Sequence, residues 1–534
     1  MSNDNASAGF VPGGNPGTAD GRGLVDMAAL AADHESLNTS LSMRREAPPV
    51  MPIPYNLPVR SADDPPDQPS INPSSVAVVE PSAFVPEQGI EPSVTASFSA
   101  IEYNGSIPPD THGAAGPEHL IAVHNGTVRV YNHSGAVLST VSLDAFWATV
   151  ASGSGTFDPK VLYDQLADRW IMTACDDRRV ATSGLLIGVS QTANPTGNWI
   201  TYKVAITGQD LPWVDYPSIG VNGKWIVVQA NVFVEDTFAR SHVYVFDKAD
   251  LYGSGPGRFT WFALESSLGG TQVPAVIEDP AIEVMYLLQN WNGNLNGRGY
   301  LRPYLILGGV GSERLVPGTY FSVADTWDSR PPGGEDFAPQ LGVPQRIQVN
   351  DARIQNVVVP RRQNEGQYHT LYAVHTVLLP AGGSPTRSAI QWWRIASSVV
   401  EIDVEEFGRI DDPTGAISRA FPSIAVTSFG GILVGYSSFS ASQFPSANYA
   451  FRTWDDPPNA PLVERVLKLG EGPYNNSSSG RNRWGDYSSA VREPSSINTN
   501  IWIIQEYSRP AQGAGETSGR WGTWWGRISF LEIG

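Results

Sequence analysis

Six aspartates stand at nearly the same point of a recurring sequence unit: Asp110, Asp158, Asp215, Asp279, Asp351 and Asp486. A carboxylate at such a point has three kinds of chemistry open to it. It accepts backbone N–H groups at a tight turn, as Asp does readily. Gathered with other oxygen ligands it binds a cation, most naturally Ca²⁺. As one of a pair it cleaves a glycosidic bond by acid–base work. Six carboxylates around one mouth repel each other unless something compensates. Asp110, His112 and Asp158 are the catalytic candidates, because Asp110-Thr111-His112 offers a base beside an orienting carboxylate. The plainer reading of His112 is an ordinary loop histidine.

Aromatic rings are the second set of candidates. Trp291 sits in the amide-rich stretch Asn290-Trp291-Asn292-Gly293-Asn294, and Trp484 opens another unit. Flat rings suit the faces of sugars, and they equally suit packing between sheets. Trp392, Trp393, Trp521, Trp524 and Trp525 pose the same choice. The single cysteine, Cys175, lies in the apolar run Trp170–Cys175 and reads as a buried strand thiol. The chain has no HExxH, CxxC, Gly-x-Ser-x-Gly or phosphate loop; Gly253–Gly257 lacks the Lys-Ser/Thr ending. The net charge of -18 repels a phosphate backbone and an anionic membrane surface, which excludes a general nucleic-acid role. No stretch approaches the roughly 20 apolar residues of a membrane helix.

Short strands must position these residues. The 534 residues include 53 Gly and 42 Pro, which suits short strands joined by turns. Seven units align, beginning at Pro108, Phe157, Val214, Glu278, Asn350, Ala420 and Trp484. Each has an acidic or aromatic-Pro opening, an apolar strand, a polar turn and a second strand. Ala420-Phe421-Pro422 replaces the acid in one of them. The spacing predicts an all-β, seven-bladed β-propeller over 94–534. After Trp502–Tyr507 the last unit has one clear strand, from Trp521 onward, so it lacks an outer strand. Thr95–Tyr103 can supply it and close the ring. Residues 1–93 read as an irregular, Pro-rich arm with one helical stretch at Gly23–His34. The arm is either disordered, a strap along the propeller, or a segment that docks on a partner.

Five motifs give the chain a family likeness: PPDTHGAAGPEHL, DPKVLYDQLADRW, SQTANPTGNW, DYPSIGV and RWGDYSSAV. With these it resembles a group of bacterial propeller proteins described as sialidase-like, from Pro108 to the end. The resemblance implies a propeller fold, commonly secreted or surface-attached. No signal peptide is visible from Met1 to Ala8, so a cytoplasmic location also fits. Sialidases hold a substrate carboxylate with three arginines; Arg353, Arg419 and Arg483, one per unit, resemble that set and suit a carboxylate. The repeated Ser-x-Asp-x-Gly-x-x-Trp turn of true sialidases is missing from the chain. Two functions follow from this reading. One is a binding or scaffold propeller that presents rim loops to a glycan or protein partner, with a cation in its channel. The other is a glycan hydrolase or lyase that uses the channel-mouth carboxylates.

Overall fold

The computed structural model describes residues 13–36, 91–151, 155–208, 210–334, 336–361, 369–397, 402–477, 480–494 and 499–530. Most of the expected arm, 37–90, lies outside the described residues. The rest is a β-propeller. Its inner strands are β1 (His112–Ala115), β2 (Thr156–Asp164), β3 (Trp213–Val221), β4 (Val273–Pro274), β5 (Ile354–Val359), β6 (Ile417–Val426) and β7 (Ser489–Arg492). Each neighbours the next around an axis, and β7 returns to β1. Each also starts an antiparallel meander that runs outward, such as β1, His119–His124, Thr127–Asn132 and Val137–Ser142. No helix among the described residues is long and apolar enough to cross a membrane.

Seven free-standing blades are not what the backbone builds. Five of the six hydrogen-bonded sheets are separate, with four or five strands along each. The sixth has ten strands and contains the meanders of both β3 and β5. They are bridged by the two-residue strand Val276–Ile277, which pairs in parallel with Val221 on one side and with Val358 and Val359 on the other. Two local features allow this fusion. Gly220 lets the neighbouring backbone approach so closely that a methyl group there would meet the Ala275 carbonyl oxygen at 2.4 Å. Pro274 has no N–H to continue the β4 ladder, so the chain steps sideways.

The ring closes where the sequence places the closure. Ser93–Glu102 runs antiparallel to Arg520–Ser529, with Phe98 opposite Trp525 and Glu102 opposite Gly522. The Thr523 hydroxyl bonds both backbone groups of Ile101, at 2.8 and 2.9 Å. The arm departs from expectation. Asn15–Thr18 adds an outer strand to Arg258–Glu265, and Gly21–Asp26 adds one to Asn198–Ala205. The helix covers Met27–Ser36, capped by Asp26 Oδ1, rather than beginning at Gly23. Gly23 belongs to the strand because it packs against Thr149, where a Cβ would lie 2.2 Å from the hydroxyl oxygen.

The aromatics pack between blades. Twelve tryptophans, among them Trp392, Trp393, Trp484, Trp521 and Trp525, are fully buried, so those five are not sugar platforms. Trp147, Trp170 and Trp199 fill the seam between the blades of β1 and β2. Trp502 and Trp525 fill the seam that closes the ring. Cys175 is buried as expected, and burial pushes its thiol pKa up.

Two truncations separate the roles of these N-terminal strands. A chain lacking residues 1–36 uncovers two sheet edges and is expected to melt several degrees lower while still unfolding cooperatively. A chain that also lacks residues 37–102 loses the closing strand and is expected to show no cooperative transition. Circular dichroism melts check both.

Candidate functional site at the ring axis

A left-handed residue stands before or within most inner strands. Asp110, Asp158, Tyr216, Thr271, Asn350 and Phe421 all have φ between 52° and 62°. In three blades the ladder skips two residues at this point: between Phe157 and Lys160, Asp215 and Ser218, and Ala420 and Ser423. The skipped pair is Asp158-Pro159, Tyr216-Pro217 or Phe421-Pro422. Such a bulge bends the strand and re-aims its side chains. It also corrects the alignment of the six aspartates. The structural equivalent of Asp158 is Tyr216 and then Phe421; Asp215 lies one residue earlier. Asp279 is not at an opening at all. It follows Val276–Ile277, is half-buried, and accepts the Ala281 N–H at 2.9 Å in a turn at the opposite end of the channel.

The remaining five aspartates do meet around the axis, Asp110, Asp158, Asp215 and Asp351 buried and Asp486 half-buried. Asp158 is the hub. Its N–H donates to Asn125 Oδ1 at 2.9 Å, and its Oδ2 accepts the Tyr216 N–H at 3.0 Å and the Tyr487 hydroxyl at 2.9 Å. Asn125 Nδ2 donates onward to Asp110 Oδ2 at 2.7 Å. The Tyr216 hydroxyl donates to Gln355 Oε1 at 3.0 Å. Arg353 clasps Asp351 through two hydrogen bonds of 2.6 Å and lies over the Tyr216 ring, 4.1 Å from its centre. Arg483 donates to Asp486 Oδ1 at 2.7 Å, and Asn350 Nδ2 donates to the same oxygen at 3.1 Å. Lys160 rests on the two tyrosine faces, 4.0 Å from the centre of Tyr487 and 5.0 Å from that of Tyr216.

Other sequence candidates are elsewhere. Arg419 makes a two-pronged pair with Glu464, at 2.8 Å for each bond, so no three-arginine set forms. Trp291 is buried against Tyr320 and the Arg302 guanidinium. Trp484 is buried against Tyr474 and Phe439, and its indole N–H donates to Ser437 Oγ at 3.1 Å. Among the described residues no group of three His, Cys, Asp or Glu side chains is placed to hold a metal ion. Asp351 and Asp486 are answered by arginines instead.

Burial sets the protonation of the cluster. It raises Asp110 and Asp215 well above the usual carboxylate range, with Asp486 and Asp158 adding to the effect on Asp110 and Asp158 adding to that on Asp215. It lowers Lys160 to about 7 against the pull of Asp158. It lowers His112 to about 3, with Lys160 contributing. Glu506 joins the cluster by accepting the Thr111 hydroxyl at 2.7 Å, and burial lifts it to about 8. Its Oε2 has no hydrogen-bond partner. Sequence reading missed Lys160, Tyr216, Tyr487 and Glu506. One signal was present: a lysine at the place in Asp158-Pro159-Lys160 where the other Pro-bearing bulges carry Ser218 and Ser423.

No known family profile matches the chain, and no curated protein matches it. Among solved structures it is similar to an α-L-arabinanase of Penicillium chrysogenum (9% identity, 83% of this chain and 100% of that one, TM-score 0.36). It is also similar to the WD40 domain of SCAP from fission yeast (9% identity, 77% and 82%, TM-score 0.33). A third is a PL25 ulvan lyase (10% identity, 77% and 90%, TM-score 0.33).

Glu506 gives a prediction with a fixed sign. Its folded pKa is raised from 4.5 to about 8, so the folded state holds a proton that the unfolded state has released. Its stabilising contribution is complete below 4.5 and is lost as pH rises through about 8. Denaturant unfolding across that window is expected to show this decline in the wild type and a shallower one in Glu506→Gln, Asp110 and Asp215 supplying the rest.

Proposed function

We propose that the chain is a binding propeller, a rigid scaffold whose rim loops take a glycan or protein partner. In this reading the ten-stranded sheet counts as two blades, and the ring has seven repeats. The observation that carries it is the self-sufficiency of the axis. Asp158 is bonded by Tyr216 and Tyr487, Asp351 by Arg353, and Asp486 by Arg483, all with little exposure to solvent. Carboxylates so enclosed and so answered hold blades together; they do not offer an open cleft to a polymer. Contact with a partner then falls to the loops. Trp454, 51% exposed and followed by Asp455 and Asp456, offers the ring face and carboxylates that a sugar needs.

The second reading, a glycan hydrolase or lyase working through Asp110 and Asp158, has the Tyr487–Asp158 hydrogen bond and the neighbouring Lys160 in its favour. One experiment separates the two. The protein is applied to a glycan array and, in parallel, to a panel of chromogenic glycosides and uronate polysaccharides. Binding without turnover is expected, and it should survive in folded Asp158→Asn and weaken at least several-fold in Trp454→Ala. Turnover that vanishes in Asp158→Asn, with the fold kept, would sink the scaffold reading.

A further inference from the structure

We propose that the axial channel itself holds a small carboxylate, bound to Lys160 independently of any rim partner. The cavity along the axis is lined by all seven inner strands or the residues beside them and has a volume of about 80 Å³. A single water needs roughly 10–15 Å³ on this scale, so there is room for a few non-hydrogen atoms and none for a sugar chain.

Hydrogen-bond donors without acceptors define what fits. Lys160 is 96% buried, lines the cavity, and makes no hydrogen bond or ion pair among the described residues (4% exposed). Ser218 lines the same cavity, and its buried Oγ has no partner. His112 accepts the Val161 N–H on Nδ1 at 3.4 Å, which leaves the hydrogen of the neutral ring on Nε2. Gln355 has its Oε1 occupied by the Tyr216 hydroxyl, which leaves its NH₂ group for the cavity. These four come from β1, β2, β3 and β5, so their N–H and O–H groups converge on the axis from several sides. An acceptor with two oxygens and one negative charge answers such a collar better than water or a metal ion does. The leftover cost of an unpaired buried ammonium is also removed.

The acids nearby do not forbid an anion. Arg353 and Arg483 neutralise Asp351 and Asp486. Asp110 and Asp215 are driven towards the protonated form by burial. Asp158 has its Oδ2 already turned to Tyr216 and Tyr487, Glu506 is pushed up to about 8 by burial, and Asp164, which lines the cavity, pairs with Lys248 at 2.6 Å. At the other end of the channel Arg492 pairs with Glu278, so the cavity is bounded by charge at both ends.

The test uses the full chain at pH 6.5 and equal ionic strength, titrated with sodium acetate or sodium chloride, with the melting midpoint and saturation-transfer NMR of acetate as readouts. Acetate is expected to raise the midpoint saturably and to show transfer; chloride should do neither. Ser218→Ala removes a donor that has no other partner and should weaken acetate binding about tenfold. Lys160→Met, if folded, should abolish it. No saturable effect in the wild type overturns the proposal, as does an equal response to chloride. Undiminished binding in Ser218→Ala overturns it whether or not Lys160→Met folds.

Discussion

The axis depends on one backbone constraint: a left-handed residue before or near the start of an inner strand. Non-glycine residues resist that conformation by about 1 kcal/mol or more each. Here six positions adopt it, from Asp110 to Phe421. What they gain is direction. A regular strand would alternate its side chains between the two faces of a blade. The left-handed turn brings Asp158, Tyr216 and Asn350 into the centre, where each bonds another blade. The strain is thus matched by bonds that only a closed ring can make.

Charge and connectivity are handled by different residues. Each arginine at the axis neutralises an aspartate two or three residues away in its own segment, Arg353 with Asp351 and Arg483 with Asp486. Pairs so close in sequence lose little further freedom when they form. At this mouth the bonds that cross between blades use neutral donors: the Asp158 N–H to Asn125, Tyr216 to Gln355, Asn350 to Asp486, Tyr487 to Asp158. A buried charge left without its partner costs several kcal/mol, while a neutral hydrogen bond misplaced costs about 1–3. At this mouth the two duties are separate; at the other end of the channel Arg492 and Glu278 join two blades through an ion pair.

Much of this was legible in the sequence, for physical reasons that also mark where legibility ends. Ring closure by Thr95–Tyr103 could be read because an incomplete last unit leaves an edge that must be covered. The inner strands could be read from apolar runs, except Val273–Pro274, which lies before the unit opening read at Glu278. The register of the axis could not, because Asp215-Tyr216-Pro217 and Phe157-Asp158-Pro159 look alike unless the bulge is known, and a one-residue shift exchanges Asp for Tyr. Asp279 resembled the other aspartates in its Asp-Pro context alone. The arm strands Asn15–Thr18 and Gly21–Asp26 carry Pro and Gly that argue against a central strand but are tolerated at an outer edge, where half the backbone faces solvent. The tryptophans were ambiguous by type; only the seams between blades show why so many are needed.

The closing strand has a consequence in time. Ile101 bonds Thr523, 422 residues further along. At typical synthesis rates of about 5–20 residues per second, the first of these leaves the ribosome on the order of tens of seconds before the second exists. Gly21–Asp26 likewise waits for Asn198–Ala205. Until then these segments are strands with nothing to pair with, and their Ser or Gly content disfavours a stray pairing. The ring is therefore an assembly that begins with its last pieces already made and held in reserve.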